Sequence, residues 1–308
     1  MNSHFQKHIV LGFFPTAFVA ALAPGLALAE PAPAASPIAS EAPPEKPATG
    51  ATPRPIVGAD AAADPCGGPA RMLATLNRPT VGYSACALPK GAIVLEEGYQ
   101  SQFQSGAAAS VISAFPQGFE RVGVANRLEL DLIGPAYNRL RASSFATGYS
   151  DLGLGFKYEL PQAGRFTYAV DGLFQAATGT GGFGAGGPTS AVNIDIAYAA
   201  SPAIGIGTTL AGYSSAGQTA GGATSRYGYF LPSFVVTAQI PNNYQFYAEL
   251  VGRTKLAPDQ GGQLFTDFGL QKLLGPNLEV DGEYGISFTP VGGSRFGYVG
   301  LGFGVRVK

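Results

Sequence analysis

Histidine is all but missing from this chain. Its two histidines, His4 and His8, both fall in the first ten residues. If those residues belong to a removed leader, the working protein has no imidazole at all. Ser-His-Asp and Cys-His catalysis then drop out, together with most zinc chemistry. No enzyme, cofactor or metal site is therefore expected. Tryptophan is absent, and cysteine occurs only twice. Charge is scarce at 13%, against about 25% in an ordinary soluble domain. The 19 basic residues are matched by 20 acidic ones, so there is no basic excess to hold a nucleic acid. Past the N-terminus no apolar run is long enough for a transmembrane helix. What is plentiful is glycine, with 44 residues, too many for a helical coiled coil. Mean hydropathy is nevertheless mildly positive at +0.14. Low charge, high glycine and mild hydrophobicity without a spanning helix leave the β-barrel as the strong membrane option.

The N-terminus reads as an export signal over residues 1–29. Lys7 supplies the positive charge, an apolar stretch follows, and Ala27-Leu28-Ala29 places small residues at the cleavage positions. Residues 30–65 are rich in Ala and Pro, as in Glu30-Pro31-Ala32-Pro33 and Ala42-Pro43-Pro44-Glu45-Lys46-Pro47. Such a segment buries no core, and it reads as a disordered tether. Cys66 and Cys86 are the only cysteines. In an exported chain an isolated pair is most simply a disulfide, worth roughly 3 kcal/mol by loop-closure entropy. Residues 66–91 are then a stapled periplasmic segment, either a spacer or, if it enters the barrel mouth, a plug. Residues 92–308 form the barrel.

From Ala92 onward the pattern alternates with period two, the signature of strands with two different faces. Leu278-Glu279-Val280-Asp281-Gly282-Glu283-Tyr284 is the clearest case, and Arg127-Leu128-Glu129-Leu130-Asp131-Leu132 is another. Twelve runs can be drawn, at 92–104, 110–124, 127–134, 148–160, 166–178, 190–200, 203–214, 226–239, 243–254, 262–273, 277–289 and 295–308. Short connections such as Ala125-Asn126 and Ser201-Pro202 alternate with longer segments such as 135–147, 179–189 and 215–225. Short turns on one side and long loops on the other are the arrangement of outer-membrane barrels. A soluble β-sandwich would also alternate, but its solvent face would carry many more charges. The expected fold is all-β, a transmembrane antiparallel β-barrel of about 12 strands in the bacterial outer membrane.

If the charged positions face inward, the lumen is lined by Arg121, Arg127, Glu129, Asp131, Asp151, Lys157, Glu159, Asp171, Asp195, Glu249, Arg253, Asp267, Glu279, Asp281, Glu283 and Arg306. Acids exceed bases, so the lumen is either a salt-bridged filling or a path that disfavours anions. In the same register Phe156, Tyr158, Tyr198, Phe246, Tyr284, Phe288 and Phe303 face lipid. Arg139, Arg141, Arg226, Lys255 and Arg295 fall near the outer rim, where lipopolysaccharide phosphates would meet them.

The run Gly148-Tyr149-Ser150-Asp151-Leu152-Gly153-Leu154-Gly155-Phe156-Lys157-Tyr158 resembles a signature strand of the outer-membrane transporter family of the phenol meta-degradation pathway type. Asn77-Arg78-Pro79-Thr80, Val94-Leu95-Glu96-Glu97-Gly98-Tyr99 and the segment Arg121 to Leu130 are similar to that family in the same order. Many outer-membrane barrels end in an aromatic residue; this sequence ends Val305-Arg306-Val307-Lys308. The resemblance implies a channel for small hydrophobic or aromatic molecules, working by passive diffusion. Its expected partners are outer-membrane lipid, lipopolysaccharide and the solute, with no nucleic acid. The alternative is a structural or surface-display barrel with no transport activity.

Overall fold

A computed structural model describes residues 65–67, 71–105, 109–290 and 295–308. The assigned leader (1–29) and nearly all of the tether (30–65) lie outside the described residues. One short helix, α1 (Arg71–Thr75), precedes the strands β1 (Ile93–Gln104), β2 (Ser110–Phe115), β3 (Phe119–Ala125), β4 (Leu128–Ile133) and β5 (Tyr137–Arg141). There follow β6 (Phe145–Tyr149), β7 (Gly153–Glu159), β8 (Phe166–Gln175), β9 (Thr189–Ala199) and β10 (Ile204–Gln218). The last five are β11 (Thr224–Ile240), β12 (Tyr244–Arg253), β13 (Gln263–Leu273), β14 (Leu278–Ser287) and β15 (Phe296–Arg306). All pairings are antiparallel, and β15 pairs with β1 from Val94↔Arg306 to Gln104↔Phe296, which closes the sheet on itself. Closure leaves no open edge, as a bilayer requires.

These elements make twelve wall strands, because three of the strands are interrupted. β2 and β3 together pair with β1 and are separated by Pro116-Gln117-Gly118. A Cβ at Gly118 would collide with the Glu96 carbonyl oxygen, so only glycine permits that close approach. β4 and β5 are likewise halves of one strand, parted at Gly134-Pro135-Ala136, and β6 and β7 are parted at Ser150-Asp151-Leu152. The expected long loop over 135–147 is therefore mostly wall: the third strand runs on to Arg141, and only residues 142–144 connect it to the next. β10 and β11 also extend further than the alternation suggested, which shortens the 215–225 loop to 219–223. Hydropathy alternation fades near the rim because both faces there are wet, whereas backbone pairing does not depend on it. The longer loops 176–188 and 254–262 share one end, here called the outer end. At the other, inner end Asn242 and Asn243 take left-handed φ values of 67° and 64° in a tight turn, a conformation that asparagine tolerates better than most residues.

Alternation sorts the two faces. In β14, Glu279, Asp281 and Glu283 are buried toward the lumen, while Leu278, Val280 and Tyr284 are exposed outward. Phe156, Phe246, Phe288 and Phe303 are exposed on the outward face as well. Leu301, at the middle of β15, is the most exposed of the large apolar side chains at 67%. A Leu301→Arg substitution is expected to destabilise the bilayer-inserted barrel by about 2–4 kcal/mol, the cost of an arginine near the membrane midplane. Urea titration in lipid vesicles reads this as a lowered midpoint, and an unchanged midpoint would mean that this face does not meet hydrocarbon.

Candidate functional site: a plugged lumen with an aromatic outer cluster

The stapled segment does not lie free below the barrel. Cys66 and Cys86 are disulfide-bonded, and residues 71–88 enter the lumen from the inner end. Met72, Leu73 and Leu76 pack with Leu88, Ala92, Val94 and Leu273 into one buried cluster. The remainder, 76–88, has no regular secondary structure of its own. Its amide groups therefore need partners from elsewhere, since an unsatisfied buried N–H is costly.

Wall carboxylates supply them. Glu96 Oε2 accepts from the Asn77 and Arg78 amides at 2.7 and 2.8 Å. Glu249 accepts from Val81 and Gly82 through its two oxygens, at 2.7 and 2.8 Å. Glu129 takes the Leu88 amide at 2.7 Å and Glu159 takes that of Ala87 at 2.9 Å. Thr209 Oγ1 accepts from Tyr83 N at 2.9 Å. The four carboxylates are ionisable acceptors and come from several strands, so the plug is held from around the lumen by stronger than ordinary hydrogen bonds.

A buried ion network underlies the docking. Arg121 is fully buried and reaches Glu96 at 2.6 Å, Glu129 at 2.6 Å and Asp131 at 3.7 Å. It also donates to the Thr75 carbonyl of α1. Lys157 lies 3.6 Å from Glu129 and donates to Asn77 Oδ1 at 2.9 Å. From the plug side, Arg78 approaches Asp281 at 3.4 Å and Glu283 at 3.9 Å, and donates to the Gln117 carbonyl. Burial alone would lower the Arg78 pKa; Asp281, Glu283 and Glu96 outweigh it and hold it above the ordinary guanidinium value. Its guanidinium lies in a slot with glycine walls. A Cβ at Gly302 would stand 2.6 Å from Arg78 Nη2, and one at Gly98, the cross-strand partner of Gly302, would meet the same group. Tyr83 completes the plug tip; burial, then Asp171, Asp131 and Asp195, push its hydroxyl pKa well up.

Above the plug the lumen changes character. Tyr213, Tyr229, Leu231, Val251, Phe265, Phe296 and Tyr298 form a second buried cluster, and Val81 and Tyr83 of the plug pack against it. Tyr213 stacks on Tyr229 at 4.4 Å between centroids, and the Arg253 guanidinium lies 4.1 Å above the Tyr229 ring. Phe265 meets Phe296 edge-to-face at 5.4 Å. Tyr298 donates to Asp267 across β14. Reading charge alone missed this cluster. The signal was available in the lumen-facing parity of β11, where Tyr227, Tyr229 and Leu231 occupy alternate positions.

Of the residues expected to line the lumen, Arg121, Glu129, Lys157, Asp171, Asp195, Glu249, Asp267, Glu279, Asp281 and Glu283 are buried within the barrel, and Asp131 is half-buried beside them. Arg253 is at the outer mouth, where it donates to the Lys255 carbonyl and the Tyr227 hydroxyl. Glu159 and Arg306 are near the inner rim. One expectation needs correction. Arg127 does not reach the lumen; it is exposed in the inner turn with φ at 66°, because the chain must reverse there. Asp151 is in the break between β6 and β7, where it accepts from Gly179 and Ala185 at 2.7 and 2.8 Å. Its work is to fasten the 176–188 loop. That loop also bonds Tyr149 through Thr180, covering the edge of β6 that no strand pairs.

No protein-family model matches the chain, and neither does any curated protein. Solved structures do match. An outer-membrane channel from Pseudomonas putida F1 superposes with a TM-score of 0.58 at 11% identity, over 71% of this chain and 97% of the other. The NanC porin matches at a TM-score of 0.45 and 13% identity, over 68% and 98% of the two chains. The KdgM porin matches at 0.42 and 11%, over 67% and 97%. At these identities the likeness is one of architecture: this chain has the fold of an outer-membrane β-barrel channel.

Proposed function

We propose that this protein is an outer-membrane channel through which small hydrophobic or aromatic solutes diffuse passively, with residues 71–92 acting as its plug. The observation that carries the proposal is the division of the lumen. The inner carboxylates are occupied by plug amides, whereas the outer part of the lumen is filled by packed tyrosine and phenylalanine rings. Aromatic rings attract other rings and flat apolar solutes. The resemblance of the 148–158 strand to transporters of the phenol meta-degradation pathway type supports the same solute class. In this reading the partners are membrane lipid, lipopolysaccharide and the solute, with no nucleic acid.

Purified protein in liposomes tests it. Phenol-sized aromatics are expected to equilibrate faster than through empty liposomes, and sugars of similar size are not. Equal, background-level flux of both would reject the channel. The depth to which the plug fills the inner lumen favours the second reading, a sealed structural or display barrel, and that result would select it.

A further inference from the structure

We infer that Arg139 and Arg141 form a binding site on the outside of the barrel for the phosphate groups of lipopolysaccharide. This rests on the outer-membrane placement proposed above and assigns the contact to two residues. β5 alternates strictly: Asn138 and Leu140 are buried toward the lumen, whereas Tyr137, Arg139 and Arg141 are exposed on the outward face. The two guanidiniums therefore share one face of one strand, about 7 Å apart along it, at its outer end.

Their surroundings contain no opposite charge. Arg139 pairs in register with Ser113 and Thr147, and Arg141 with Val111 and Phe145. On the outward face of the flanking strands are Phe103, Phe115 and Tyr149. Among the described residues neither guanidinium makes a hydrogen bond or ion pair. Arg139 rests 5.2 Å over the Phe145 ring, a cation–π contact that holds the side chain against the wall. Another rim arginine, Arg226, is already engaged by the Pro188 carbonyl at 2.9 Å and Ser214 at 2.7 Å.

Directly inward of the arginines is an aromatic collar. Tyr137 and Tyr149 meet edge-to-face at 5.5 Å, and Phe115 pairs with Tyr137 and is 54% exposed. Exposed aromatic rings mark the depth where headgroup gives way to acyl chain. Two unpaired, bidentate-capable cations just above that depth match phosphates carried on a lipid. Free phosphate would need no collar beneath it, and the phospholipid of the inner leaflet lies at the other end of the barrel.

The test uses the full-length protein, delipidated in detergent, with purified lipopolysaccharide, the same lipopolysaccharide after enzymatic dephosphorylation, and inorganic phosphate. Binding is read by native mass spectrometry and by the shift in thermal unfolding. The phosphorylated lipid is expected to bind, and R139A/R141A is expected to weaken it roughly 30-fold, at about fivefold for each cation beside an anionic headgroup. R139K/R141K should recover most of that loss. Heat-modifiable migration on gels shows that each variant is folded, and solute flux is expected to be unaltered. Equal binding of dephosphorylated lipid, full binding by R139A/R141A, or inorganic phosphate competing at the same concentration as the lipid would overturn the inference. Flux lost with lipid binding intact would instead remove only the channel reading. A wild-type protein that fails to enter bilayers would overturn both.

Discussion

A Glu249→Leu barrel is expected to conduct ions in planar bilayers far more often than the wild type. Glu249 is fully enclosed, and each of its oxygens accepts one plug amide, Val81 on one and Gly82 on the other. Leucine fills a similar volume but accepts nothing. Two buried N–H groups would then be stranded, at roughly 1–3 kcal/mol each. The plug relieves that cost by leaving the lumen, where water satisfies both amides. Taking about 3 kcal/mol as the total, the plug-out population rises about 100-fold. Glu249→Gln is the informative companion, since its amide keeps one acceptor and should give an intermediate open probability. Single-channel recording of wild type, Gln and Leu forms measures this directly. If all three show the same open probability, the carboxylate grip is not what retains the plug.

Loss of Arg121 is expected to be the most damaging single change to the barrel itself. The side chain is fully buried between Glu96 and Glu129, both at 2.6 Å, with Asp131 at 3.7 Å. Replacement by methionine preserves bulk and removes the only guanidinium facing those acids from β3. Breaking a buried ion pair by deleting one partner costs about 3–5 kcal/mol, because the surviving charges remain desolvated. Lys157 can compensate Glu129 in part, from 3.6 Å, but Glu96 has no such second cation in ion-pair range among the described residues. Urea unfolding in vesicles should show the loss. Adding Glu96→Gln to Arg121→Met should return part of it, since the two changes are coupled. A double variant no better than the single one would mean that Arg121 acts by packing alone. The Thr75 carbonyl also loses its donor, so Arg121→Met should loosen the plug as well as the wall.

The period-two alternation carried the architecture because it is a local property with a global cause. A strand between lipid and lumen must place apolar and polar groups on opposite sides, and each residue of β14 records that choice separately. The same logic located most of the buried acids. It failed at Arg127, one residue into a turn, where φ rather than hydropathy decides direction. It failed again over 135–147, where glycine, proline and exposed arginines resemble a loop although their backbone is paired.

Composition and alternation by themselves determined a closed transmembrane barrel, its inner and outer faces, and an acidic lumen. What those acids do was decided only by tertiary structure. Glu96 and Asn77 are separated by 19 positions and Glu249 and Val81 by 168, and no local pattern encodes a bond between a side chain and an amide so far away. The segment 76–88 has no helical or strand period to announce it, because its amides are satisfied by the wall instead of by one another. The aromatic cluster is likewise a meeting of β10, β11, β13 and β15, each contributing one or two rings that look ordinary in isolation. Burial in hydrocarbon acts on every residue and leaves a periodic trace; a plug is held by a few long-range hydrogen bonds and leaves none.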